Sequence, residues 1–166
     1  MTPTETLRAY RAHDYTLPGA VASRAAAAPE RVFLMCNGQS WNWRSVEQLI
    51  ERTARALAAK GVKQGDRVGV MARNSEKHFI LLAALARLRA IMVPTNPDFG
   101  AAEVGFVFEH AQVCAVACDA GALPAAQEAC RSRKLSPWFV LFDARQGDIP
   151  SFAEFVDQGQ IGRAHV

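Results

Sequence analysis

Four short apolar runs, at residues 67–72, 91–93, 113–118 and 138–142, are each separated from the next by a longer segment of helical character. The runs show little period-two alternation, so both faces of each strand are expected to be covered. Strands that alternate with helices in this way imply parallel pairing, because a parallel strand needs a crossover that a hairpin cannot supply. The chain therefore reads as α/β: a largely parallel sheet with helices on both faces.

The pattern before this alternation differs. Residues 18–28 are alanine-rich and read as a helix that stops before Pro29. Residues 31–36 then read as a strand, Asn37-Gly38 as a tight turn and residues 40–43 as the return strand, giving a short β-hairpin. Ser45 followed by Gln48 has capping-box spacing. Behind it Val46, Leu49, Ile50, Thr53, Ala54, Leu57 and Ala58 recur at intervals of three and four, and Lys60 and Gly61 close an amphipathic helix. Further on, Gln64-Gly65-Asp66 predicts a turn, and Asn74 or Ser75 starts a helix running to about residue 89. That helix is apolar nearly all round over residues 79–88, which predicts that it is sandwiched inside the molecule. Pro94 ends a brief strand and Pro97 marks a loop. Residues 101–110 read as helical, Asp119 as the opening of another helix closed by Arg131, Arg133 and Lys134, and residues 151–157 as a last short helix.

Composition adds limits rather than detail. With 50% hydrophobic and 21% charged residues in a length of 166, the chain has material for a real core, which excludes disorder for most of it. Nineteen basic against 16 acidic residues give +3, too mild a charge to argue for nucleic acid or a membrane surface. The longest apolar run, residues 79–86, is far short of the ~20 residues that span a bilayer. Residues 1–14 lack the apolar stretch of a secretory signal; their Arg8 and Arg11, against Glu5 and Asp14, imitate a transit peptide, but a flexible tail over residues 1–17 is the simpler reading. Cys36, Cys114, Cys118 and Cys130 are then expected to be free thiols in a reducing compartment, the cytoplasm.

The candidate chemistry is thin. Cys114 and Cys118 on one strand would share a face about 13 Å apart, too far for a disulfide or a shared metal ion, so both are expected to be buried thiols packing as small hydrophobes. His13, His78, His110 and His165 form no HExxH or paired-ligand spacing. Gly61, Gly65 and Gly69 superficially suggest a nucleotide loop, yet each has a local job as helix cap, turn or strand residue, and neither GxGxxG nor GxxxxGK[ST] occurs. Arg131, Ser132, Arg133 and Lys134 are favoured at a helix C-terminus by the dipole alone. Trp41 and Trp43 are expected to share a strand face and pack there. No catalytic, cofactor-binding or metal-binding residue is assigned.

The order of the elements is nonetheless distinctive. The stretch Ser40-Trp-Asn-Trp-Arg-Ser-Val-Glu-Gln-Leu, followed by Ala54-Arg-Ala-Leu-Ala-Ala-Lys-Gly-Val-Lys-Gln-Gly-Asp-Arg-Val-Gly-Val, resembles the N-terminal part of the adenylate-forming (AMP-dependent synthetase/ligase) superfamily. Asn74-Ser75 with Phe79 resembles a helix start of that family, and Ala90-Ile-Met-Val-Pro-Thr-Asn-Pro is similar to its valine-proline-leucine-asparagine-proline motif. The matches cover residues 18–155 and point to the acyl-CoA ligase branch, of the crotonobetaine or carnitine CoA ligase type. Arg89 departs from the family, which usually has a glycine before the position of Ala90.

The resemblance implies a two-step reaction. A carboxylate attacks the α-phosphate of ATP to give an acyl-adenylate and pyrophosphate, and coenzyme A then displaces AMP. In these enzymes the Ser/Thr/Gly-rich phosphate loop and the other chemical motifs follow the matched stretch, and no such loop occurs in the 166 residues. ATP, Mg²⁺ and coenzyme A are thus expected for the whole enzyme and none for this chain, whose partner would be the remainder of the enzyme. Residues 18–157 are expected to be part of the N-terminal subdomain of the large AMP-binding domain, with a tail over residues 158–166. The closing Ile161-Gly-Arg-Ala-His-Val matches the translation of a sequencing-library adapter and is expected not to be biological. The competing readings are a stand-alone α/β binding or regulatory module built on the same scaffold and, further off, a metal or redox protein built on the cysteines.

Overall fold

The computed structural model describes residues 16–161, together with Thr2, Thr4, Glu5 and Asp14. The expected N-terminal tail and the last five residues therefore lie mostly outside the described residues. Twelve elements follow in order: α1 (Leu17–Ala27), β1 (Val32–Cys36), β2 (Gln39–Asn42), α2 (Trp43–Ala59), β3 (Arg67–Met71), α3 (Glu76–Arg87), β4 (Ile91–Pro94), α4 (Ala101–Ala111), β5 (Ala115–Cys118), α5 (Leu123–Ser132), β6 (Trp138–Leu141) and α6 (Phe152–Ile161). Strands β3 to β6 form one sheet in the order β4-β3-β5-β6. Every pairing in it is parallel, with Gly69 opposite both Val93 and Val116, and Val116 opposite Phe139.

Both faces are covered, as the unbroken apolar runs require. On one face Val68, Val70, Ala115, Ala117 and Val140 pack beneath α1, α2, α3 and α6. On the other Met71, Val116, Cys118 and Leu141 pack beneath α4 and α5. The central strand β5 reads Ala-Val-Ala-Cys and is buried throughout, its small residues letting helices approach from either side. Helix α3 is mostly buried, as its apolar circumference predicts, with Leu82 turned outward.

The hairpin β1-β2 is antiparallel, and Asn37 and Gly38 hold φ of 51° and 76°. Two consecutive positive φ values are the geometry of the turn whose twist matches that of the flanking strands. Its apolar side packs against the larger core through Phe33, Leu34 and Trp41.

Three helix boundaries differ from the sequence reading. Asn42, not Ser45, caps α2: its side chain accepts the Ser45 N–H at 2.8 Å, while Ser45 Oγ donates to the Asn42 carbonyl at 2.9 Å. Trp43 therefore begins the helix and does not share a strand face with Trp41; its ring stacks on Phe33 with centroids 3.6 Å apart. Asp119 does not open α5, which starts at Leu123 with a proline in its first turn, where a missing N–H costs nothing. Helix α6 runs on past residue 157 to Ile161.

Arg89 has φ of 55° just beyond the end of α3. A left-handed residue there reverses the chain so that Ala90 N–H reaches Leu85 O at 2.9 Å and Arg89 O accepts from Gly65 N–H at 3.0 Å. This explains why a glycine would suit the position, and the fold is built around the arginine nevertheless.

Candidate functional site at the carboxyl edge of the sheet

After β3 the chain leaves through α3 on one face, whereas after β5 it leaves through α5 on the other. Adjacent parallel strands whose following loops part in opposite directions leave a crevice between them, the usual ligand position in open α/β sheets. Here that crevice lies between residues 72–75 and residues 119–122, flanked by the loop after β4 and the loop after β6.

Three aspartates and one arginine organise it. Asp119, immediately after β5, accepts the backbone N–H of Arg73 through Oδ2 at 2.7 Å. Asp143, two residues past the end of β6, accepts the backbone N–H of Ala120 at 2.6 Å. The Arg73 guanidinium pairs with Asp98, in the loop after β4, at 2.8 Å. Lys77, in the first turn of α3, donates from Nζ to the Phe142 carbonyl at 2.7 Å. Two carboxylates thus each use one oxygen to hold the chain's own backbone, and the nearby amine donates to a carbonyl.

Next to them, Ser75 Oγ and His78 Nδ1 are buried and lack a hydrogen-bond partner. Burial lowers the His78 pKa below its ordinary value, partly opposed by the charge of Asp119. His78 also meets the ring of Phe142 edge-on. No group of three or more His, Cys, Asp or Glu side chains is placed to hold a metal ion among the described residues. What the described residues show at this edge is a braced floor.

The residues weighed in the sequence scatter through the fold. Cys114 precedes β5 and packs with the larger core cluster, while Cys118 packs in the other, so the two thiols do not share a face. Cys118 is wholly buried and Cys114 half-buried; all four cysteines are free. Burial first, then the charges of Asp119 and Asp143, push the Cys118 thiol up to about 12, which makes it inert. His110 stacks on Phe106 on the outside of α4, and His13 and His165 lie outside the described residues. Gly61 and Gly65 serve as helix cap and turn, with φ of 88° and 83°. Gly69 lies directly under Phe108. Arg131 pairs with Glu128, and Arg133 pairs with Glu109 at 2.8 Å, so both arginines of the basic run are occupied within the chain. Asp98, Asp143 and Arg73 went unmarked in the sequence, and Asp119 stood out there only as a helix opening. The available signal was an apolar run ending directly in aspartate, at Cys118-Asp119 and again at Phe142-Asp143.

An open parallel sheet covered on both faces, with its crevice at the point where the strand order reverses, defines a doubly wound α/β protein. Within that class the chain belongs to the AMP-binding enzyme family, which matches residues 21–156. Acyl-CoA ligases are among its relatives. It is 37% identical over 81 residues to an acyl-CoA ligase of Ajellomyces capsulatus, a match covering 49% of this chain and 14% of that one. It superposes with a TM-score of 0.79 and 26% identity on a crystal structure assigned as a long-chain-fatty-acid CoA ligase from Rhodopseudomonas palustris, covering 86% of this chain and 36% of that chain. A fatty acyl CoA synthetase of Mycobacterium tuberculosis matches with a TM-score of 0.70 and 25% identity, over 82% of this chain and 27% of that one. The chain therefore spans well under half the length of these relatives. No helix among the described residues is long and apolar enough to cross a membrane.

Proposed function

We propose that this chain is the leading scaffold of an AMP-forming acyl-CoA ligase, acting with the remainder of the enzyme on a small carboxylic acid, and that alone it does not adenylate. The observation that carries this reading is the coverage: 86% of this chain superposes on 36% of a ligase chain. ATP, Mg²⁺ and coenzyme A belong, on this reading, to the whole enzyme.

The residues present do not fit those groups. Asp119 and Asp143 already hold backbone N–H groups, Lys77 Nζ is on a carbonyl, and the sequence has no Ser/Thr/Gly-rich loop to cradle a phosphate. No catalytic step is therefore routed through this chain, and no site residue is assigned to it. Four free cysteines fit a reducing compartment, and we place the protein in the cytoplasm.

The test is ATP–pyrophosphate exchange by the 166-residue chain with a panel of short, long and aromatic carboxylic acids. Rates indistinguishable from the buffer blank are expected. Exchange above that blank with any acid would overturn the reading.

A further inference from the structure

The two backbone links at the carboxyl edge are joined through one peptide unit. Asp119 supplies the carboxylate that holds Arg73 N–H, and the next N–H along the chain, that of Ala120, is held by Asp143. One planar peptide unit and the short Asp119 side chain separate the acceptor of one link from the donor of the other. Asp119 is pinned further, its own N–H donating to Met71 O at 3.2 Å and its carbonyl accepting from Ala122 N–H at 3.0 Å. A shift of the loop after β5 at Ala120 therefore acts on the residue whose carboxylate holds Arg73 N–H.

We propose that the loops at residues 72–75, 119–122 and 142–145 form one cooperative unit, in which a disturbance at the end of β6 reaches the start of α3 both through the Asp119–Ala120 peptide and directly through the Lys77 hydrogen bond to the Phe142 carbonyl. The distance bridged is two strand spacings, about 10 Å. The unit stops at β3. Its next contact, Arg73 with Asp98, joins side chains that are 73% and 65% exposed, and such pairs are screened and contribute little. The proposal concerns this chain's own loops and holds whether or not the ligase reading does.

Amide hydrogen exchange on the full chain tests it, comparing the parent with Asp143→Ala. Losing a charge-assisted acceptor should speed exchange at Ala120 by roughly tenfold. The relay predicts a further increase of about threefold at Arg73, two strands away. Gly100 N–H, held by Glu103 in the loop after β4, should not change. Faster exchange at Ala120 alone would overturn the proposal, as would an equal increase at Gly100, which would mean general loosening. Should Asp143→Ala not fold, native-state exchange of the parent in low urea decides. Arg73 and Ala120 should then open with one free energy and one urea dependence, and separate openings would overturn the unit.

Discussion

A methyl group added at Gly69 tests how the second core is assembled. A Cβ there would lie 2.9 Å from Phe108 Cε1 and 3.2 Å from Cζ, closer than carbon atoms approach one another. Phe108 is fully buried in the same core cluster as Val104, Met71 and Val116, so its ring could yield only by shifting within a filled core. Two effects oppose each other in Gly69→Ala. Removing a strand glycine reduces the entropy of the unfolded chain, a gain of about 0.5–1 kcal/mol. Overpacking a well-filled core costs about 1–3 kcal/mol. The clash should win, leaving a net loss of up to about 2.5 kcal/mol and a melting temperature lower by up to about 10 °C.

Urea unfolding followed by far-ultraviolet circular dichroism measures the loss, and a double-mutant cycle assigns it. In a Phe108→Leu background the ring is gone, so Gly69→Ala should become neutral or stabilising, a coupling of about 1–2 kcal/mol. An equal penalty in both backgrounds would refute the close approach as the cause. So would a Gly69→Ala variant more stable than the parent.

Three further outcomes follow from positions where local geometry is specific. Arg89→Gly should raise stability by about 0.5–1 kcal/mol in the same urea assay, because glycine holds a positive φ without the steric cost that a side chain carries; an unchanged or lower midpoint would contradict this. Asn42→Ala should lower stability by about 1 kcal/mol through loss of the α2 cap, and by more than Ser45→Ala does; the reverse ranking would restore Ser45 as the cap. His78 is held neutral by burial, its pKa depressed below 6.5. The stability this contributes is complete above the unfolded value of 6.5 and is lost as pH falls through the lower folded value. The urea midpoint of the parent should therefore fall faster than that of His78→Gln below pH 6.5, and parallel curves would count against a buried, neutral imidazole.

Features set within a turn or two of chain were legible without coordinates. The spacing of Val46, Ile50, Thr53 and Leu57 fixes which side of α2 is buried, and these residues are indeed buried. Asn37-Gly38 could make only one kind of tight hairpin turn, and four apolar runs without alternation could sit only in a sheet covered on both faces. Where two local signals competed, the sequence was ambiguous. Asn42 and Ser45 are both good caps three residues apart, and the aromatic run through Trp43 favoured a longer strand. Cys114 sits one residue before its strand, so the alternation that governs Ala115 to Cys118 does not reach it.

The candidate site was illegible for a different reason. Asp119 and Arg73 are 46 positions apart, and Asp143 and Ala120 are 23 apart, so no local pattern can pair them. Only the strand order β3-β5-β6 brings them together, and that order depends on which way each crossover turns. The same topology gives the three loops their common level at the carboxyl edge, where an aspartate after each of two strands can reach the neighbouring backbone. An aspartate that ends an apolar run in a parallel sheet therefore has two possible uses, as a free carboxylate for chemistry or as a brace for the next loop. In this chain hydrogen bonds of 2.7 and 2.6 Å to main-chain N–H groups make both of them braces. On the proposed reading, such braces hold these loops in place for chemistry that the remainder of the enzyme supplies.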